Sequence, residues 1–323
     1  MQDLRIATAQ FENHDGDKAY NLSRIDVLTR RAVDMGAQIV CFHEGCLTGI
    51  TYVQTFNKEQ LSDIAEPVPD GPSVRRMMEI AKEYRTVVSA GLIEKDTAGK
   101  LYKTQALVGP DGFITKYRKL HPFINPNLTP GDAYNVVELF GWKIGILICY
   151  DNNLTENARI TALMGAQVIL APHVTGCLPS PMPGRGSVDK ALWDNRVRDP
   201  ARLRMEFQGP KARGWLMRWL PTRAWENGVY YVFSNPVGVD GDTIKPGLAM
   251  ILDPFGEVIA ESSALDDDVV VGVLTQEKLK LASGQRYIRA RRPEIYGKLV
   301  EPPPPGQKAV TEPGWKLAYE LKK

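Results

Sequence analysis

The sequence predicts an α/β protein, a four-layer α-β-β-α sandwich with an internal pseudo-twofold duplication, because three pairs of segments repeat in the same order. "LRIATAQ" (Leu4 to Gln10) and "WKIGILIC" (Trp142 to Cys149) each open a half as an apolar strand. "MGAQIVCFHEG" (Met35 to Gly45) and "MGAQVILAPHV" (Met164 to Val174) each close a helical pattern with a glycine cap and start a second strand. "ALVGPDGFITKY" (Ala106 to Tyr117) and "AMILDPFGEVIAE" (Ala249 to Glu261) each read as strand, Pro/Gly turn and strand, which is a hairpin.

In chain order, each half runs strand, helix, strand, helix and then antiparallel strands. The helical stretches are Tyr20 to Met35 and Ser73 to Tyr84 in the first half, then Leu154 to Met164 and roughly Pro221 to Asn227 in the second. The strands between them are near-continuous Val/Ile/Leu runs, and such strands are covered on both faces. Two sheets stacked face to face with helices outside satisfy that requirement. The halves differ at about 176–220, a Pro/Gly/Arg/Trp-rich insertion with three tryptophans, Trp193, Trp215 and Trp219. Long loops in compact domains are functional or disordered, and tryptophans argue for order, so this loop reads as a lid or specificity element or as an oligomer contact. Residues 1–300 form the expected domain, and 301–323 a Pro-rich extension.

Composition narrows the partners. With 323 residues and 43% hydrophobic content, the chain can bury a large core, and its net charge of +2 is spread over both signs. No basic face for nucleic acid and no polybasic membrane anchor stands out, so a small neutral or zwitterionic molecule is the expected partner. The first residues, "MQDLRIATAQFENHDG", lack the pattern of a signal peptide, and no apolar run reaches membrane-spanning length. Four unclustered cysteines (Cys41, Cys46, Cys149, Cys177) make no disulfide framework, and the expected compartment is the reducing cytoplasm. Four histidines without metal-ligand spacing predict no metal, and nothing calls for a cofactor.

Three strand ends deliver reactive side chains into loops: Glu44 after "QIVCFH", Lys119 in "ITKYRKLHP", and Cys149 after "KIGILI". Each alone has a plain explanation, as solvated acid, surface base or small core residue. Together they answer one chemical need. A thiol with pKa near 8.5 requires a base or a stabilising cation to become a nucleophile at neutral pH, which Glu44 and Lys119 supply. Attack on a carbonyl or nitrile carbon then puts negative charge on the substrate, where Lys119 and the backbone N–H of Tyr150 can meet it. Glu44 returns its proton to the departing nitrogen and later activates water.

From Leu4 to Thr275 the sequence resembles the nitrilase superfamily of carbon–nitrogen hydrolases. "VCFHEGCLTG" is similar to the family's glutamate patch, "KYRKLHP" with His121 to its lysine patch, "CYDNNLTENAR" to its nucleophile patch, and "RAWENGVYYVFSNPVG" to its later core segment. The resemblance implies a Glu44-Lys119-Cys149 triad, the sandwich fold, and pairing into a homodimer or larger assembly. "CYD" implies cleavage of a small amide or N-carbamoyl compound rather than a nitrile. Many members carry a second glutamate after the catalytic lysine, but "LHPFINPNLTPG" has no acid, and Asn125 or Asn127 stands in its place. The carbamoyl branch's arginines after the nucleophile are replaced here by Asn152 and Asn153, leaving Arg185, Arg196, Arg198, Arg202 or Arg204 of the insertion to hold a substrate carboxylate. Tyr150, Asn125, His121, Asn152 and Asn153 are thus the expected supporting residues, and His173, Arg202 and Trp193 the expected substrate contacts.

Acyl transfer would use the same triad with a different second nucleophile. A metal-dependent phosphodiesterase would need converging acids and a histidine base, and leaves Cys149 and Lys119 idle. A binding scaffold that lost turnover is the remaining alternative, motivated by the missing acid and the long insertion.

Overall fold

The computed structural model describes residues 2–302, so all of the 301–323 extension beyond residue 302 lies outside the described residues. Fourteen strands are described: β1 (Leu4–Gln10), β2 (Ile39–Cys41), β3 (Val87–Lys95), β4 (Leu101–Gly109), β5 (Gly112–Arg118), β6 (Val136–Leu139), β7 (Trp142–Ile146), β8 (Val168–Pro172), β9 (Tyr230–Ser234), β10 (Val237–Asp240), β11 (Thr243–Pro246), β12 (Met250–Leu252), β13 (Val258–Glu261) and β14 (Asp268–Leu274). One sheet runs β14-β1-β2-β3-β4-β5 and the other β13-β12-β9-β8-β7-β6, with β10 and β11 as a separate hairpin.

Reversing the second order aligns β1, β2, β3, β4 and β5 with β7, β8, β9, β12 and β13. In both, the first three strands are parallel and the last pairings are antiparallel. The duplication read in the sequence is therefore a duplication of topology. Strand β14 returns from the second half to pair antiparallel with β1, tying the chain's late segment to the first sheet.

Helices α1 (Lys18–Asp34) and α3 (Pro72–Tyr84) cover the first sheet, and α4 (Thr155–Leu163) and α8 (Leu220–Asn227) the second. Each starts within two residues of its predicted position. Asp17 caps α1 by accepting from Tyr20 N at 2.9 Å, and Pro72 opens α3, where a missing N–H costs nothing. Side-chain alternation explains the layers. Ile39 and Cys41 join the inter-sheet core with Ile144, Leu170 and Val232, while Val40 and Phe42 pack with Leu28, Met77 and Ile80 of the covering helices. Thr8 Oγ1 adds an inter-sheet hydrogen bond to Phe233 O at 2.8 Å.

Two regions hold helices that the sequence reading did not assign. Helix α2 (Lys58–Ile64) lies in a stretch to which the sequence reading assigned no element, and is set by the Asn57/Gln60 capping box. The insertion is a loop only over its first part, up to residue 189; three short helices follow, α5 (Lys190–Asp194), α6 (Pro200–Gln208) and α7 (Arg213–Leu216), whose Trp193, Leu203, Phe207 and Leu216 are buried among themselves and the core. Helices α9 (Gln276–Leu281) and α10 (Ser283–Arg289) follow β14. Among the described residues no helix is long and apolar enough to cross a membrane.

Candidate active site

Glu44 leaves the end of β2 in a tight turn that presses on β3. A Cβ at Gly91 would lie 2.3 Å from Gly45 N and 3.1 Å from Glu44 C, so only glycine lets the turn sit there. Lys119 follows β5, pinned by its own N–H donating to Lys103 O and by Gly131 N donating to its carbonyl, both at 2.8 Å. Cys149 follows β7 at φ 48°, a left-handed conformation unusual for a residue with a Cβ, and begins the 3-10 turn Cys149–Asn153. Strain of that kind aims the side chain out of the strand direction, toward the cavity.

Asp151 holds the nucleophile turn against the lysine strand. Fully buried, it accepts from Tyr117 Oη at 2.9 Å, Leu120 N at 3.2 Å and His121 N at 3.0 Å, and its Oδ1 lies 2.8 Å from His121 Nδ1. From below, Asn152 Nδ2 donates to Leu147 O at 2.7 Å. Arg223 of α8 donates to the carbonyls of Asn152 and Asn153 at 3.0 and 2.9 Å.

Glu44, Lys119 and Cys149 line one cavity of about 420 Å³. The Lys119 ammonium donates to Glu44 Oε1 at 2.7 Å, and a second buried lysine, Lys103 on β4, donates to the same oxygen at 3.0 Å. Among the described residues no hydrogen-bond partner meets Oε2, and Glu44 lines the cavity. Burial alone would raise the Glu44 carboxyl, but the two lysines outweigh it and hold the group down to about 2. Burial pulls Lys103 down to about 8, with Glu44 opposing and Lys119 adding repulsion. For Lys119, burial is overcome by Glu44, Cys149 and Asp151, and the ammonium is held charged above the usual lysine range. The Cys149 thiol is pushed up to about 11 by burial and by Glu44, with Lys119 opposing. The resting cluster is a neutral thiol, an ionised carboxylate and at least one ammonium.

The family model described as carbon-nitrogen hydrolase matches residues 5–282. The chain belongs to the carbon–nitrogen hydrolases. It is 30% identical to a nitrilase of Pyrococcus abyssi (strain GE5 / Orsay), over 83% of this chain and 88% of that protein. It is also 30% identical to an (R)-stereoselective amidase of a Pseudomonas species, over 93% and 96%. An amidase from Nesterenkonia sp. AN1, solved in complex with acrylamide, superposes with a TM-score of 0.68 at 20% identity, covering 92% of this chain and 97% of that one, which shows a shared fold. This carbon–nitrogen hydrolase is thus an enzyme of a superfamily acting on amides.

Of the expected supporting residues, Tyr150 and Asn153 line the carbon–nitrogen hydrolase cavity, whereas Asn152 and His121 act beneath it through the contacts above. Asn125 does not stand in for an acid at the cavity. Its Nδ2 donates to Val53 O and Phe56 O, both at 2.8 Å, so it fixes the chain before α2. His173, Trp193 and Arg202 also lie off the cavity lining. His173 is buried against Trp219 and Phe233, Trp193 packs inside the insertion under Arg196, and Arg202 lines a separate surface cleft with Leu192 and Met205. The insertion reaches the cavity instead through residues 178–182, Arg185 and Trp215. Lys103 went unread in the sequence, yet its alternation with Leu101 and Leu107 on an apolar strand was a signal that it points inward. Lys245 and Asp240, whose charged ends are 3.4 Å apart on the second wall, carried no such signal.

Proposed function

We propose that this chain is a thiol amidase in which Cys149 is the nucleophile, Glu44 the proton carrier and Lys119 the cation that meets the oxyanion. The observation that carries the reading is that a carboxylate, an ammonium and a sulfur from three separate strand ends line one cavity. The 30%-identical amidase of Pseudomonas supports amides as the substrate class. Small amides and N-carbamoyl compounds, both of which release nitrogen from a carbonyl carbon, are the substrates we infer.

With the thiol protonated and Glu44 ionised at neutral pH, no free thiolate waits for substrate. The thiol proton passes to Glu44 Oε2 as the C–S bond forms, and the carbonyl π pair becomes an oxyanion facing Lys119 and the Tyr150 N–H. Glu44 then protonates the departing nitrogen as the C–N bond breaks, leaving a thioester on Cys149. Water attacks that thioester while giving a proton to Glu44, and collapse of the second tetrahedral intermediate returns the proton to sulfur.

Intact-mass spectrometry and ammonia release, measured with a panel of small amides, N-carbamoyl compounds and nitriles, test the reading. Nitriles belong in the panel because of the Pyrococcus abyssi relative. The wild type should form an acyl adduct that Cys149→Ala lacks, and Glu44→Gln should lower turnover by about 10² to 10⁴. Ammonia release that persists in Cys149→Ala would remove the sulfur from the mechanism.

A further inference from the structure

Two buried lysines meet one carboxylate, and one of them exceeds charge balance. Glu44 and Lys119 already form a neutral pair. Lys103 adds a second ammonium to the same Oε1 at 3.0 Å, and among the described residues Glu44 is its only ion-pair partner. Lys103 is 2% exposed, and burying an ammonium without a carboxylate of its own is unfavourable. The surplus charge lines the cavity with Glu44 and Cys149, so it stands at the reacting groups rather than in the frame around them.

Amide cleavage has a use for that charge. Sulfur and nitrogen are both bound to carbon in the tetrahedral intermediate. A thiolate is a far weaker base than the anion an unprotonated nitrogen would become, so sulfur leaves first and substrate returns unless the nitrogen receives a proton. Glu44, carrying the thiol proton, is the donor. Burial works to raise its carboxyl, but Lys103 and then Lys119 overcome burial and hold the group down to about 2, which makes its protonated form a strong acid. Both ammonium groups meet Oε1, so the proton is carried on Oε2.

We propose that Lys103 is a positioning residue for the second proton transfer: by holding Glu44 Oε1 it makes the protonated carboxyl a donor strong enough to drive nitrogen, rather than sulfur, off the carbon. The inference rests on the amidase reading and adds a residue to it. In this step the proton leaves Oε2 for the nitrogen, the C–N electron pair departs with the amine, the oxyanion re-forms the carbonyl, and the thioester stays on Cys149. Glu44, Lys119 and Cys149 are the charged or titrating groups that act on Lys103, from beyond the ends of β2, β5 and β7. Lys103 is brought down to about 8, chiefly by burial, whereas Glu44 is at about 2, Cys149 at about 11 and Lys119 above the usual lysine range. Of these four groups only Lys103 changes charge near pH 8.

Acyl-matched compounds test it: acetamide, butanamide and phenylacetamide against the p-nitrophenyl esters of the same acids. Both members of a pair leave the same acyl group on Cys149, but p-nitrophenolate departs without a proton and the amide nitrogen does not. Lys103→Met should lower kcat/KM for the amides about ten- to a hundredfold more than for the esters, part of the ~10²–10⁴ that general acid catalysis contributes. In the wild type the amide-to-ester ratio should fall as pH rises through about 8, and in Lys103→Met it should stay level there. Lys103→Arg, which keeps its charge at that pH, should hold the ratio up. An equal loss for amides and esters in Lys103→Met, or a wild-type ratio that is level across pH 8, overturns the role assigned to Lys103 while ammonia release upholds the amidase reading. Esters that acylate Cys149 while none of the amides releases ammonia overturn the amidase reading, and the role of Lys103 falls with it.

Discussion

Replacing Lys103 with methionine should make the protein more stable and a poorer catalyst. Lys103 is 2% exposed, and its pKa falls from 10.5 to about 8 even with Glu44 at 3.0 Å. At about 1.4 kcal/mol per unit, the folded state at pH 7 therefore disfavours this ammonium by about 3 kcal/mol relative to the unfolded chain. Methionine keeps the length and apolar stem and removes the charge, so the gain approaches that figure. The sign with pH is fixed. A lysine whose folded pKa is lowered imposes its full penalty below about pH 8, and the penalty disappears as pH rises toward 10.5, where the unfolded chain also loses the proton. Guanidinium denaturation followed by tryptophan fluorescence should show the variant ahead by about 3 kcal/mol at pH 7, with the gap closing as pH rises through 8 to 10.5. A variant that is less stable than wild type, or whose advantage does not change with pH, refutes the electrostatic account of this residue.

Two further substitutions probe the frame around the cluster. Gly91→Ala would drive a Cβ to 2.3 Å from Gly45 N, so the Glu44 turn must retreat; we expect about 1–3 kcal/mol of destabilisation and a turnover loss near 100-fold, and native activity with native stability would refute the packing argument. Asp151→Asn substitutes an NH₂ for an oxygen that accepts from Tyr117, Leu120 or His121, costing about 1–3 kcal/mol in thermal or chemical melts and reducing kcat; wild-type kcat would remove Asp151 from its positioning role.

Much of this arrangement was legible because it follows from local pattern. Cys149 and Glu44 come directly after apolar runs too short to be anything but buried strands, and a repeated strand-helix-strand pattern fixes which ends lie together. Lys103 escaped because a lysine in a strand reads as solvent-facing, and what buries it is Glu44, 59 positions earlier in the chain. Asn125 was misread for the opposite reason: its place in the sequence fits a missing acid, but its side chain is consumed by two backbone carbonyls 72 and 69 residues away. Within the insertion, composition announced order, whereas the choice of Arg185 over Arg202 for the cavity depends on how three short helices pack, which no local pattern encodes.

The segment Leu120 to Gly131 carries no acid, and Lys103 adds a second ammonium beside Glu44, so both features favour positive charge around the carboxylate. Before reaction, two ammonium groups face one negative charge on Glu44 Oε1. In the reaction proposed above, movement of the thiol proton to Glu44 and addition of sulfur to the carbonyl would leave the total charge unchanged and shift the negative charge from the carboxylate to the substrate oxygen. Both lysines line the cavity in which the proposed reaction would place that oxygen, so they could follow the charge without rearrangement. An additional carboxylate would instead compete with the oxyanion for Lys119. Keeping Lys103 charged at a cost of about 3 kcal/mol in stability is then intelligible as a trade in which a destabilised ground-state cation improves stabilisation of the transition state.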